Sequence, residues 1–302
     1  MEINRIELKR LAKERMHLTQ PRFWVVALAY MAMTTGVSWL VSFIPLSGTG
    51  ASQLPFLDIQ FFLQILLMLY TTVVQFGLCL WALWTYRQLD PDINSLMQGF
   101  SVTGRVILME LGIYIRVVGW YFVVALLLSV PVFVLLLSNP GAGIGIIGLI
   151  CYCIGLFAVI VILSLRYALA PYLLADRPND GPTIPIIRSV ALMRGWKMEL
   201  FKLEFSFIGW HAVNFAFSLG VIFFFLYQAG LFSSGAVLSP EWQSQVIEVI
   251  YSPIVVILST LITVPVSLWL LPYRETARAG FYDARLLAAS SNEENLSEMP
   301  PI

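Results

Sequence analysis

Glu110, Arg116, Asp176 and His211 are the residues best placed to do chemistry, because each is ionisable and lies in or beside a long apolar run. Charge at membrane depth is costly enough to suggest function where it occurs. The spacing, however, builds no recognisable reaction centre. Glu110 and Arg116 are six apart and do not share a helix face, so each needs water, headgroups or a partner on another helix. Asp176 has no nearby acid or base for proton transfer, and its place after a proline-broken helix suits a turn or cap. His17 and His211 fall in different parts of the pattern and make no metal pair. No Walker loop, HExxH or nucleophile elbow is present. The glycine-rich run from Pro140 to Gly148 lacks the lysine and the preceding strand of a phosphate cradle, and reads as close helix packing or a tight turn. No catalytic residue, cofactor or metal is expected, and the chain is expected not to be an enzyme.

The elements that must position these residues are spanning helices. Hydrophobic residues make up 59% of the chain and charged residues 12%, with a mean hydropathy of +0.81. A soluble domain is roughly 45–50% apolar. The expected fold is all-α, a polytopic membrane protein of six transmembrane helices with amphipathic surface helices on the cytoplasmic side. The spans read Phe23 to Ile44, Phe61 to Trp84, Val106 to Leu137, Ile144 to Leu165, Phe205 to Tyr227 and Val249 to Leu271. The third is too long for a simple crossing of a core roughly 30 Å thick, which leaves its first turns at the interface or inside the protein. Pro131 is expected to kink it. Trp24, Trp81, Trp84, Trp120 and Trp269 read as interfacial anchors, and Cys79, Cys151 and Cys153 as buried thiols.

All 18 Lys and Arg residues fall on one side of this pattern. The loops around Pro45 to Ile59, Ser138 to Gly143 and Gly230 to Gln245 carry none. By the positive-inside rule both termini are expected in the cytoplasm. Three units follow: an amphipathic helix over 1–22, a six-helix domain over 23–273 with a basic loop at 166–204, and a C-terminal segment over 274–302 with a disordered acidic tail. In the first unit Ile3, Ile6, Leu11 and Leu18 form the face expected to rest on the inner leaflet. In the basic loop Ile186, Ile187, Val190 and Met193 form one stripe of a short surface helix, which Gly195 ends. The glycine-aromatic steps Gly99-Phe100, Gly195-Trp196 and Gly280-Phe281 suggest three hairpins, each closed by such a helix. Gln60, Gln64, Gln75, His211 and Asn214 are candidates for hydrogen bonds between helices.

The blocks Glu7 to Met16, Tyr167 to Pro178, Arg188 to Trp210 and Leu268 to Tyr282 resemble the bacterial integral-membrane family known as domain of unknown function 975. The chain departs from its usual pattern at spans three and four, around Pro131 and the Pro140 to Gly148 run. The resemblance implies a six-pass protein of a bacterial cytoplasmic membrane and carries no agreed activity.

The favoured expectation is a non-enzymatic protein whose basic cytoplasmic helices contact anionic lipid or a membrane protein partner, with no nucleic acid involved. The candidate residues of that face are Arg166, Asp176, Pro178, Arg188, Ser189, Gly195 and Lys197, with Glu110, Arg116 and His211. One alternative is a transporter, exporter component or immunity-type protein for a small hydrophobic or peptide compound. Another is a lipid enzyme that uses Asp176, Glu110 or His211.

Overall fold

A computed structural model describes residues 4–42, 59–138, 142–232 and 239–297. In chain order the helices are α1 (Arg5–Leu18), α2 (Phe23–Met31) and α3 (Val37–Ser42), α4 (Ile59–Arg87), α5 (Asn94–Gln98), α6 (Thr103–Ser138), α7 (Ala142–Tyr167), α8 (Ala170–Asp176), α9 (Thr183–Leu192), α10 (Lys197–Phe205), α11 (Ile208–Gln228), α12 (Pro240–Ile250) and α13 (Pro253–Ser297). A π-helical turn, Ala32–Gly36, joins α2 to α3 into one span. There is no strand among the described residues. Among the described residues six helices are long and apolar enough to cross a membrane: α2–α3, α4, α6, α7, α11 and α13.

The loop around Pro45 to Ile59 and the turn before α7 lie wholly or largely outside the described residues. Two spans differ in detail from the sequence reading. Span five begins after a break at Ser206 and Phe207, so α10 is a separate helix. Before span six stands α12, where Ser239 Oγ accepts from Trp242 N at 3.1 Å and the Trp242 indole donates to the Leu231 carbonyl at 2.9 Å. Helix α6 runs unbroken through Pro131. Helix α13 runs unbroken through Pro265 and Pro272, past Ser290 to Ser297, with no boundary at residue 274.

The spans run through two environments. Along α4, Phe61, Phe62, Ile65, Leu66 and Met68 are exposed, whereas Val73, Val74, Leu78, Trp81 and Leu83 are buried. The same change occurs along α13, from exposed Ile254, Leu258 and Leu261 to buried Leu270, Tyr273, Phe281 and Tyr282. The basic ends of α4 and α13 therefore share a protein core, ringed by α1, α5 and α8–α10. The opposite halves turn apolar surface outward, as segments long and apolar enough to cross a membrane do.

This core adds a packed face to α1 and corrects the readings of Trp81, of two cysteines and of the α9 stripe. Helix α1, capped by Asn4 Oδ1 accepting from the Ile6 amide at 3.1 Å, packs on α13 and α4. It buries Leu8, Ala12 and Met16, while Ile6 and Leu18 are exposed. Trp81 is wholly buried and anchors nothing at an interface. Of the cysteines only Cys79 is buried, because Cys151 and Cys153 sit on the outward surface of α7. In α9, Ile186 and Ser189 are buried, as is Met193 just after its end, and Ile187 is exposed.

The three glycine-aromatic steps do three different jobs. Gly99 lets α5 approach α4, since a Cβ there would meet the Val73 carbonyl at 2.6 Å. Gly195 takes φ +81, the left-handed turn expected of it. Gly280 makes room for the Tyr86 ring within α13, so no separate surface helix closes the third hairpin.

Candidate functional site

The basic end of the bundle is held by two charge clusters joined through tyrosines. Arg87, at the end of α4, aims its guanidinium between α8 and α13. It grips both oxygens of Asp176, with Nη2 to Oδ2 at 2.9 Å, and reaches Asp283 Oδ1 from Nη2 at 2.7 Å. The Tyr282 hydroxyl donates to Asp176 Oδ2 at 2.7 Å. Tyr282 stacks on Tyr172 with ring centroids 5.8 Å apart, and Tyr172 donates to Glu275 Oε2 at 2.8 Å. Glu275 is wholly buried and accepts from Arg274 at 2.9 Å and from Arg278 at 3.4 Å, and Arg278 also grips Glu204 of α10.

Asp176 is thus fixed by an ion pair with a residue 89 positions earlier. This overturns both the backbone-cap reading and the view of it as a lone carboxylate. Fork-shaped pairing of Arg87 with two carboxylates also fixes orientation, which a lysine's point charge would not do.

Other predicted residues join the same layer. Ser189 donates to the Arg166 carbonyl at 3.1 Å, tying α9 to the end of α7. The Pro178 carbonyl accepts from Arg105, and Arg188 pairs with Asp180 at 3.1 Å. Arg116 is not brought into the layer: it donates to the Gly112 carbonyl of its own helix at 2.8 Å. His211 is exposed near the start of α11. Of the candidates for hydrogen bonds between helices, Gln75 accepts from Tyr30, and Asn214 of α11 donates to Ser267 Oγ of α13 at 3.2 Å.

Sequence reasoning missed Arg87, Tyr172, Glu275, Tyr282 and Asp283. A signal existed in α13, where Glu275, Tyr282 and Asp283 recur at the seven- and eight-residue spacing of one helix face. Their partners are too distant in sequence to be paired by spacing. Arg285 shows the same limit: it donates twice to the Leu192 carbonyl, at 3.2 and 3.0 Å, satisfying the end of α9, and lies 4.3 Å over the Trp196 ring.

Several concavities lie at this end of the bundle, one of them, of about 830 Å³, between α1 and α10 beside Arg5, Lys9, Glu199 and Lys202. A cavity of about 690 Å³ opens among Asp176, Arg177, Arg188, Leu192, Tyr282 and Arg285. An apolar groove of about 300 Å³ runs between α7 and α10, walled by Phe157, Ile162, Leu165, Met198 and Phe201, with Lys197 lining it. Lys197 makes no ion pair among the described residues, since the nearby Glu199 is taken by Lys202 at 2.7 Å and Arg5 at 3.6 Å. That hydrogen bond from Lys202 holds the Glu199 carboxyl below the usual carboxylate range. A further cavity, of about 340 Å³, lies deeper, between α2, α4, α6 and α8. Among the described residues no group of three or more His, Cys, Asp or Glu is arranged to hold a metal ion.

Comparison with known proteins yields one match: a family model described as a protein of unknown function (DUF975) matches residues 1–288. No curated protein and no solved structure matches the chain.

Proposed function

The chain belongs to this family of unknown function, and from that premise we propose a non-enzymatic membrane protein that holds anionic lipid at the basic end of its bundle. The observation that carries the reading is the groove between α7 and α10. Its walls are side chains suited to an acyl chain, and its one charged group is the unpaired cation Lys197. An anionic phospholipid presents the same combination of apolar chain and negative head. Arg194, three residues before Lys197 and without a partner among the described residues, adds positive charge on the neighbouring turn. Most of the other cations are used internally, as Arg87, Arg278 and Arg285 show, so the lipid-directed charge is local.

In this reading the basic end faces the cytoplasm of a bacterial cell, in keeping with the retention of Lys and Arg on that side. A lysine near an anionic surface contributes about 1 kcal/mol, roughly fivefold in affinity. Native mass spectrometry of the protein released from mixed phosphatidylglycerol and phosphatidylcholine nanodiscs tests it. The expected result is preferential retention of phosphatidylglycerol, lost in Lys197→Gln, with retention of both lipids reduced in Phe201→Ala. Equal retention of the two lipids by the wild-type protein would end the proposal.

A further inference from the structure

The deeper cavity is unlike the others at this end. It is lined by Tyr30 from α2, Thr71, Thr72, Gln75 and Cys79 from α4, and Glu110 from α6, with Phe76 and Pro171 as apolar wall. Its depth follows from helix geometry. Glu110 lies roughly 10 Å along α6 from Thr103, and Gln75 roughly 18 Å along α4 from Arg87. That is inside the apolar length of both spans and on the side nearer the basic end.

The hydrogens of this lining are already committed. Thr71 and Thr72 both donate to the Met68 carbonyl, at 2.9 and 2.8 Å. Tyr30 donates to Gln75 Oε1. The three hydroxyl oxygens can therefore only accept from an occupant of the cavity, and the Gln75 amide nitrogen is the lone remaining side-chain donor apart from the thiol. Glu110, partly buried, makes no hydrogen bond or ion pair among the described residues. The nearest charged cluster is paired off, Arg274 and Arg278 against Glu275 and Glu204, and Arg116 is held by its own helix. Glu110 is the one carboxyl in the cavity lining and has no cationic partner among the described residues.

A carboxylate with several acceptors and little donor capacity selects a cation that carries N–H groups, and the apolar walls select one with a hydrocarbon body. We propose that this cavity is a binding site for an amphipathic primary ammonium ion, entering from the membrane and placing its nitrogen at Glu110. The ammonium supplies the donors that Glu110, Thr71, Thr72 and Tyr30 lack. The volume of about 340 Å³ is at the small end of the range for ligand pockets, roughly 300–1,000 Å³, and fits a head and a short apolar stem. This site is separate from the groove at Lys197 and shares no residue with it.

The test is equilibrium binding of radiolabelled dodecylamine, protonated at neutral pH, to the full chain in phosphatidylcholine nanodiscs, with empty discs subtracted. The expected result is saturable binding that unlabelled dodecylamine displaces and dodecanol does not. Glu110→Gln keeps the shape of the side chain and should weaken binding by about tenfold or more, the scale of a lost charge-assisted hydrogen bond. Lys197→Gln should leave it unchanged, which separates this site from the lipid groove. Dodecanol competing as well as dodecylamine, or unchanged affinity in a folded Glu110→Gln protein, would overturn the proposal. If Glu110→Gln does not fold, the alcohol-against-amine comparison on the wild-type protein decides the question, supported by a weaker loss in Thr72→Val.

Discussion

The two halves of α4 share one apolar composition and have opposite fates. From Phe61 to Met68 the large side chains face outward, and from Val73 to Leu83 they are closed inside protein. What separates them is the company kept at the basic end, where α1, α5 and α8 pack on α4 and on its neighbour α13. A spanning sequence thus encodes two solvents in series, hydrocarbon for one half and other helices for the other. Only the protein-covered half can hold buried charge, because only there do partners converge from several helices. Glu275, Arg274 and Arg278 fall in that half.

The comparison can be broken most directly at Glu275. Glu275→Ala leaves Arg274, Arg278 and Tyr172 facing a buried void, and should cost about 3–5 kcal/mol, measured by denaturant unfolding in a mild detergent. Arg87→Met should follow at about 3 kcal/mol, since Asp176 and Asp283 lose their shared counter-ion while remaining mostly covered. Packing supplies the next step. A methyl on Gly77 would run into the backbone of Leu96, so Gly77→Ala should push α5 away and cost about 1–3 kcal/mol. In the other half, Leu66→Ala should change stability by less than about 0.5 kcal/mol, as for an exposed position. A large loss there would mean that the outer half carries a protein core or a partner surface of its own. The smallest effect belongs to Glu199, whose carboxyl is held down by Lys202. Its folded-state titration lies below its unfolded one, so whatever it contributes is present at neutral pH and vanishes as pH falls through the lowered value. Glu199→Gln should lower the thermal midpoint at pH 7 by the least of these variants, and should leave it unmoved at a pH below that lowered value.

The spans themselves were legible in the sequence, because a run of apolar residues of spanning length has few other uses. Gly195 was legible too, since its left-handed φ is a local requirement. What was not legible depends on neighbours far away in the chain. Leu8, Ala12 and Met16 form the buried face of α1 only because α13 and α4 offer it a groove, whereas a leaflet would have taken Ile6 and Leu18. Asp176 looked like a cap while Arg87 and Tyr282, its partners, went unread. Trp81 follows the same pattern: amphipathic rings favour interfaces, but this one meets protein before it meets a headgroup. For Glu110 the sequence supplied the residue and its cost at depth, and the structure supplied the cavity and the orientation of the hydroxyls around it.

Helix α13 follows the other described helices in the chain, and it brings Glu275, Tyr282 and Asp283 to partners synthesised long before. Until the ribosome has finished it, Arg87 and Asp176 have each other but not Asp283 or Tyr282, and Glu204 waits for Arg278. The basic-end layer is therefore complete only once α13 is present, and this helix acts as its clasp. A nascent chain stalled before this helix would leave Glu204 without Arg278, and Arg87 without Asp283, on the open side of the bundle.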